Sequence, residues 1–463
     1  MSLIRIAIAG ALFLLSFACA SVKPEAPPQL SKLQSTALAS NLAWEVLEGL
    51  TTEVGARMPG TEKDAEAVAW MQAKFEQLGF DKVWLEPVTF PNWVRGTEKL
   101  SMLAPFTHDL AITGLGGSPS TNGEIRAEIV EFKTLADLKA AAAGSLHGKI
   151  AYISNRMQRT ATGAGYGAAR NARSFGSAVA AEKGALAFLL RSIGTDDTRF
   201  PHTGSIGNAL AVRLVPAAAL SNSDADLLDN TLRRGKPVEV LLEIGSAYQG
   251  SYTSHNVIAE ITGAEAAHEV VVVGGHLDSW DMGTGANDDA SGIAITTAAA
   301  RLVAEQQRPR RSIWVVAFAN EEQGLYGAKA FAQAHAHELE RFVLGNEADF
   351  GAGRAYSLRV NVREQALPAI HELAARLAPL GLELDLKNKA SGSADIGRLR
   401  AVGVPVVDVG QDGSKYFDWH HTDNDTLDKI DPETLAQNVA VRATIIDFAA
   451  NSDIVFGPIP LSK

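Results

Sequence analysis

Three observations on the 463-residue chain predict an α/β protein with a mostly parallel, mixed sheet flanked by helices and a β-rich domain inserted into it. From Val270 to the C-terminus, continuous β-branched runs alternate with helix-like stretches, the pattern of strands buried on both faces. A chain of 463 residues exceeds what one hydrophobic core holds, which favours two domains. Between about Asn122 and Gly250 the texture changes to short strands and Gly-rich loops.

The first element lies outside the fold. Residues 1–20, "MSLIRIAIAGALFLLSFACA", carry one early charge (Arg5), an apolar run from Ile6 to Phe17, and then Ala18, Cys19 and Ala20. This reads as a secretory signal peptide, too short for a comfortable transmembrane helix. Two processing routes are open. Cleavage at the A-x-A motif leaves a periplasmic or extracellular protein, whereas lipidation of Cys19 leaves a membrane-anchored lipoprotein. Cys19 is the only cysteine, so no internal disulfide is expected. The Pro-rich residues 21–35 read as an extended tether.

Residues 36–121 form the first part of the main domain. "TEKDAEAVAWMQAKFEQLGF" has helical apolar spacing, an acidic first turn and Gly79 as a stop, and "DKVWLEPVTF" alternates like a strand. Residues 122–250 form the insert, with strands in "HGKIAYIS", "KGALAFLLRS" and "KPVEVLLEIG", an Ala-rich helix, and a Gly/Arg loop, "ATGAGYGAARNARSFGS". Gly165-Tyr166-Gly167 in that loop lacks the strand–turn–helix context of a nucleotide fingerprint. Residues 251–463 complete the main domain with strands in "EVVVVGG", "SIWVVAFA", "RFVLGNEA" and "VPVVDVG". A long helix, "DPETLAQNVAVRATIIDFAAN", closes it. No internal repeat is visible.

Composition narrows the function. Hydrophobic residues at 46% and charged residues at 21% describe an ordinary soluble globular protein. A net charge of −11 argues against nucleic acid as a partner, because phosphate binding needs a basic face.

Ligands of open α/β sheets bind beyond the carboxyl ends of the strands, and chemically loaded residues fall at such positions. His276 and Asp278 follow "EVVVVGG", with Asp288 and Asp289 shortly after; Glu321 and Glu322 follow "SIWVVAFAN"; Asp349 ends "RFVLGNEAD"; His421 and Asp425 lie beyond "VPVVDVG". Singly, each has a bland reading as polar loop, helix cap or charge at a helix dipole. Jointly, they make the imidazole and carboxylate set of a hydrolytic metal site, best suited to zinc. His335 and His337, two apart on a helical stretch, read as surface residues.

The segments "GHLDSWDMGTGANDDASG", "ANEEQGLYGAKAF", "EADFGAG" and "KYFDWHHTDNDT" resemble the zinc exopeptidase family that includes bacterial leucyl aminopeptidases and glutamate carboxypeptidases. "GALAFLLRSIG" and "FPHTG" extend the likeness into the insert, which resembles a protease-associated domain and reads as a lid over the active-site cleft. The resemblance implies two zinc ions per chain, one on His276 and Asp349, the other on Glu322 and His421, with Asp288 bridging. It implies Glu321 as general base acting on a water shared by the metals. Asp278 would orient His276, and Asp425 would do the same for His421. Glu347 is the rival of Asp349. Some relatives carry a tyrosine oxyanion donor where this chain has His420, which leaves His420 or Tyr416 for that role. Asp395 in "SGSADIG" would either hold a substrate amino group or cap the helix beyond it.

The resemblance also implies a peptide substrate, a dipeptide or short peptide, and a homodimer. Two other readings compete with it. A glutaminyl cyclase-like acyltransferase with a single zinc has no need of both His276 and Asp349. A catalytically inactive binding or receptor-like protein would be marked by lost ligands, and all five are kept.

Overall fold

A computed structural model describes residues 29–207 and 213–461. The leader, Cys19 and most of the tether lie outside the described residues. The tether ends earlier than the sequence suggests, because Ser31 caps helix Lys32–Ala39 through a reciprocal side-chain exchange with Gln34.

The main sheet has eight strands in the order Lys82–Val94, Ala247–Ile261, Arg311–Phe318, Ala266–His276, Phe342–Glu347, Val406–Gln411, Ala355–Asn361, Glu383–Leu384. Its four central members, from Arg311–Phe318 to Val406–Gln411, run parallel, and the flanks include antiparallel pairs. Ala266–His276 shows why four valines run together at its centre, Val270–Val273. Val271 and Val273 pack on one face against helices Ser291–Gln306 and Pro432–Ala450. Val270 and Val272 pack on the other face with Trp314 and Phe331. Both faces are dry over Val270–Val273, so none of these four positions can be polar, whereas His268 and Glu269 just before them reach solvent.

The second sheet also has eight strands, from Glu98–Ala104 to Glu239–Ile244 in the chain. It therefore begins before Asn122, and the antiparallel pair Lys82–Val94 with Ala247–Ile261 carries the chain out and back. Helix Tyr166–Glu182 covers one face and Asn222–Leu232 the other. The Gly/Arg stretch expected as a loop is, from Tyr166 on, the start of that first helix. Gly176 is accommodated there because the Phe188 ring occupies the space a Cβ would need. The core under this helix also takes in Tyr416 and Phe417 of the main domain, so the two units share one apolar seam. Among the described residues no helix is long and apolar enough to cross a membrane.

Candidate active site

The central parallel strands deliver their ends to one edge. His276 is the last residue of its strand, Asp288 sits in the turn Ala286–Ala290 that feeds helix Ser291–Gln306, and Glu321 and Glu322 follow Arg311–Phe318. Asp349 lies two residues past Phe342–Glu347, and His421 follows the short helix Tyr416–Trp419 with a positive φ of 63°.

These side chains converge. Asp288 Oδ1 lies 3.0 Å from His276 Nε2, and its Oδ2 lies 3.1 Å from His421 Nε2. Asp349 Oδ1 is 3.5 Å from His276 Nε2, and Glu322 Oε2 is 3.0 Å from His421 Nε2. Each imidazole thus faces Asp288 and one further carboxylate. The residues fit divalent cations: Asp288 Oδ2 and Glu322 Oε1 are buried without a hydrogen bond, and the donors are imidazole and carboxylate. Burial opposes charge on His276, but its surrounding carboxylates push it well above the usual imidazole range. For Asp288, burial is overridden in the same way by His276 and His421, which hold it well below the carboxylate range.

Each imidazole is oriented through Nδ1. His276 Nδ1 meets the Asp278 carbonyl at 2.9 Å, and His421 Nδ1 meets the Thr203 carbonyl at 3.3 Å. A carbonyl only accepts, so both rings carry a proton on Nδ1, and Nε2 is the nitrogen that would bind a metal once the ring gives up its second proton.

Several expected partners differ. The Asp278 carboxylate is 3.7 Å from His276 and instead accepts the amides of Glu321 at 3.0 Å and Glu322 at 3.2 Å. Asp278 therefore steers His276 by its carbonyl and spends its charge fixing the Glu321–Glu322 turn. Asp425 does not reach His421; it accepts the amides of Asn287 at 2.7 Å and Asp288 at 3.1 Å, bracing the Asp288 loop. Glu347, the rival of Asp349, receives the amides of Asp395 and Ile396 at the start of helix Ile396–Ala401. Asp395 caps nothing: both its carboxylate oxygens are buried and unpartnered. Its backbone is what Glu347 grips. His335 is buried rather than exposed, between Glu86 at 3.0 Å and Glu338 at 2.6 Å, whereas His337 is exposed.

The two other aspartates of the 274–292 segment brace it. Asp289 accepts the amides of His276 at 3.2 Å and Gly292 at 3.1 Å, and Gly275 and Gly292 are glycines because a Cβ would strike its carboxylate. Asp281 pairs with Arg95 at 2.7 Å. Arg57, fully buried, donates to the carbonyls of Leu277, Thr284 and Gly285 and pins the same segment. Sequence reading missed it, since a lone arginine in "GARMPG" carries no spacing signal.

A cleft of about 600 Å³ opens over the cluster, lined by Asp288, Glu321, Glu322, Asp349 and His421 from the main domain and by Tyr166, Arg173 and Ser205 from the insert. Tyr416 and His420 also line it. Burial pushes Tyr416 well above the usual phenol range, so its hydroxyl keeps its proton. His420 stacks on His421 with ring centroids 3.5 Å apart, and burial, then His421, pushes it well below the imidazole range. Burial, reinforced by Asp349, Glu322 and Asp278, pushes Glu321 well above the carboxylate range.

Buried imidazoles and carboxylates at the carboxyl edge of a doubly covered sheet, under a cleft closed by a second domain, define a hydrolase of the metallopeptidase class. Residues 256–446 match the model of Peptidase family M28. The chain is 34% identical to carboxypeptidase Q of Bos taurus over 409 residues, 88% of this chain and 85% of that one. The solved structure of a peptidase M28 precursor from Shewanella amazonensis SB2B is 49% identical, with a TM-score of 0.91 over 93% of this chain and 98% of that one. A zinc aminopeptidase from Bacillus subtilis shares the fold at 19% identity, with a TM-score of 0.64 over 90% of this chain and 98% of that one. The chain belongs to peptidase family M28.

Proposed function

We propose that this chain is an exopeptidase hydrolysing dipeptides or short peptides with two zinc ions, held by His276 and Asp349 and by Glu322 and His421, with Asp288 between them. The observation that carries this reading is the two-sided placement of Asp288, whose oxygens face different imidazoles at 3.0 Å and 3.1 Å. When bound, zinc supplies Lewis-acid polarisation of the scissile carbonyl and brings the pKa of a water to about 7. The chain's own groups do the rest. Glu321, aligned by the Asp278 carboxylate through its amide, takes the proton of the attacking water and delivers it to the leaving amine. Tyr416, which keeps its proton, donates to the oxygen that gains charge as the carbonyl is attacked.

The test is metal content and amino-acid release from a dipeptide panel, for the parent and Glu321→Gln. Fewer than two zinc ions per chain, or undiminished turnover by Glu321→Gln, would sink the mechanism. One observation favours a second donor set: His420 Nε2 lies 3.5 Å from Asp288 Oδ2 and competes with Glu322. Metal stoichiometry of Glu322→Ala against His420→Ala separates the two. The leader sequence supports export, which cell fractionation with Cys19→Ala would test.

A further inference from the structure

The inserted domain supports the two candidate metal positions unequally. His276 ends a central strand, and Asp349 follows the neighbouring one. His276 Nδ1 meets the Asp278 carbonyl, and the amide of Ala348, beside Asp349, donates to the Gly274 carbonyl at 3.0 Å. Among the described residues no hydrogen bond runs from the insert to His276 or Asp349.

Glu322 and His421 sit instead in turns beyond the sheet. His421 has a φ of 63°, a conformation that persists in a residue with a side chain only when its surroundings over-determine it. Those surroundings come from residues 202–205 of the insert, a strap against the site. The Thr203 amide donates to the His421 carbonyl at 3.0 Å, and the Thr203 carbonyl meets His421 Nδ1 at 3.3 Å. Ser205 Oγ donates to the Glu322 carbonyl at 2.7 Å. The strap belongs structurally to the insert. Thr203 Oγ1 donates to the Gly114 carbonyl at 2.9 Å, and the Gly116 amide donates to the Gly204 carbonyl at 3.1 Å. Gly116 is a glycine because a Cβ would strike the Trp280 ring, which lies edge-on to His421 with centroids 5.8 Å apart. Parting the domains would break the strap's bonds to Glu322 and His421 and leave the partners of His276 and Asp349 in place.

We infer that the inserted domain completes the metal position of Glu322 and His421, with Ser205 as a positioning residue, and that the position of His276 and Asp349 forms without it. An ion on Glu322 and His421 and the seating of the insert then stabilise each other, and by linkage each strengthens the other by the same factor. This inference rests on the two-zinc reading of the site. It makes the insert part of one metal position rather than a cover over both.

The test is zinc titration of the full chain. Ser205→Ala should weaken one of the two ions by about 10- to 100-fold and leave the other unchanged, and Ser205→Thr, which keeps a hydroxyl, should recover most of the loss. Two backgrounds assign the position. Ser205→Ala should weaken zinc in Asp349→Ala, where Glu322 and His421 remain, and change nothing in His421→Ala, where His276 and Asp349 remain. The reciprocal effect is read by hydrogen exchange. Zinc should slow exchange of the amides of residues 202–205 in the parent and fail to do so in His421→Ala. Equal weakening of both ions, no weakening of either, or strap exchange indifferent to zinc overturns the inference while the peptidase reading stands. If the parent binds fewer than two zinc ions, the two-zinc reading falls and the inference with it.

Discussion

Thr203 and His421 hold each other twice: the Thr203 amide donates to the His421 carbonyl at 3.0 Å, and the Thr203 carbonyl accepts from His421 Nδ1 at 3.3 Å. The neighbouring His202 Nδ1 meets the His420 carbonyl at 2.7 Å. A segment of the insert is therefore bonded to a candidate ligand, which is a closer part in the site than that of a lid.

The strap has its own support, because His202 Nε2 meets Asp196 at 2.8 Å, and Asn222 donates to the same oxygen at 3.0 Å. His202→Ala takes one of several partners from the buried Asp196 carboxylate, which keeps Asn222 and Thr198. We expect a loss of about 1–3 kcal/mol of stability, read by chemical denaturation. Zinc affinity should fall about 10- to 100-fold as His421 loses its orientation. Unchanged zinc affinity would show that the strap is only structural.

Asp278 offers a sharper discrimination between two roles. Its carboxylate accepts both the Glu321 and Glu322 amides, and an asparagine can accept only one of them. Asp278→Asn should lower kcat by about 10- to 100-fold, at about 1–3 kcal/mol for the orphaned amide, while zinc affinity at His276 holds. If zinc affinity falls and kcat at saturating zinc does not, the carboxylate acts on His276 instead.

Most of the fold was legible because its strands are buried on both faces. "EVVVVGG", "SIWVVAFA" and "VPVVDVG" have no alternation to misread, and their C-terminal ends pointed to the edge where His276, Glu322, Asp349 and His421 meet. The partners of those residues were not legible. Asp425 and Asp278 bond backbone amides, and His421 is oriented by a main-chain carbonyl more than 200 residues away, which no residue type announces. Glycines misled in one place: Gly165 and Gly167 suggested a loop, whereas a helix begins at Tyr166 and is held by packing on Phe188 and its neighbours. His335 misled for the opposite reason, since a polar residue near a helix end looks exposed until Glu86 from a distant strand is seen to pair with it.

Tyr416 is tested by removing one oxygen. Its ring packs on Phe350 at 4.6 Å and on Phe417 at 5.0 Å, so Tyr416→Phe keeps the shape of the wall. As a donor to developing charge, its loss should lower kcat by about 100-fold or more with KM nearly unchanged. A change confined to KM would place the hydroxyl in ground-state binding.

The last expectation concerns stability and lies away from the metal cluster. Asp64, in the first turn of helix Glu62–Gln77, accepts a hydrogen bond from Ser254 at 2.8 Å, yet burial pushes its carboxyl up to about 6. A carboxyl with a raised folded pKa binds more protons folded than unfolded in the interval between the two values. Stability from this group is therefore intact below about pH 4 and falls as pH rises to about 6, by up to about 3 kcal/mol. Asp64→Asn, which still accepts from Ser254, should flatten that slope and leave the variant more stable than the parent at pH 7. Denaturant unfolding of both proteins at pH 4, 5, 6 and 7 reads this directly, and parallel pH profiles would show that Asp64 ionises in the folded protein without penalty.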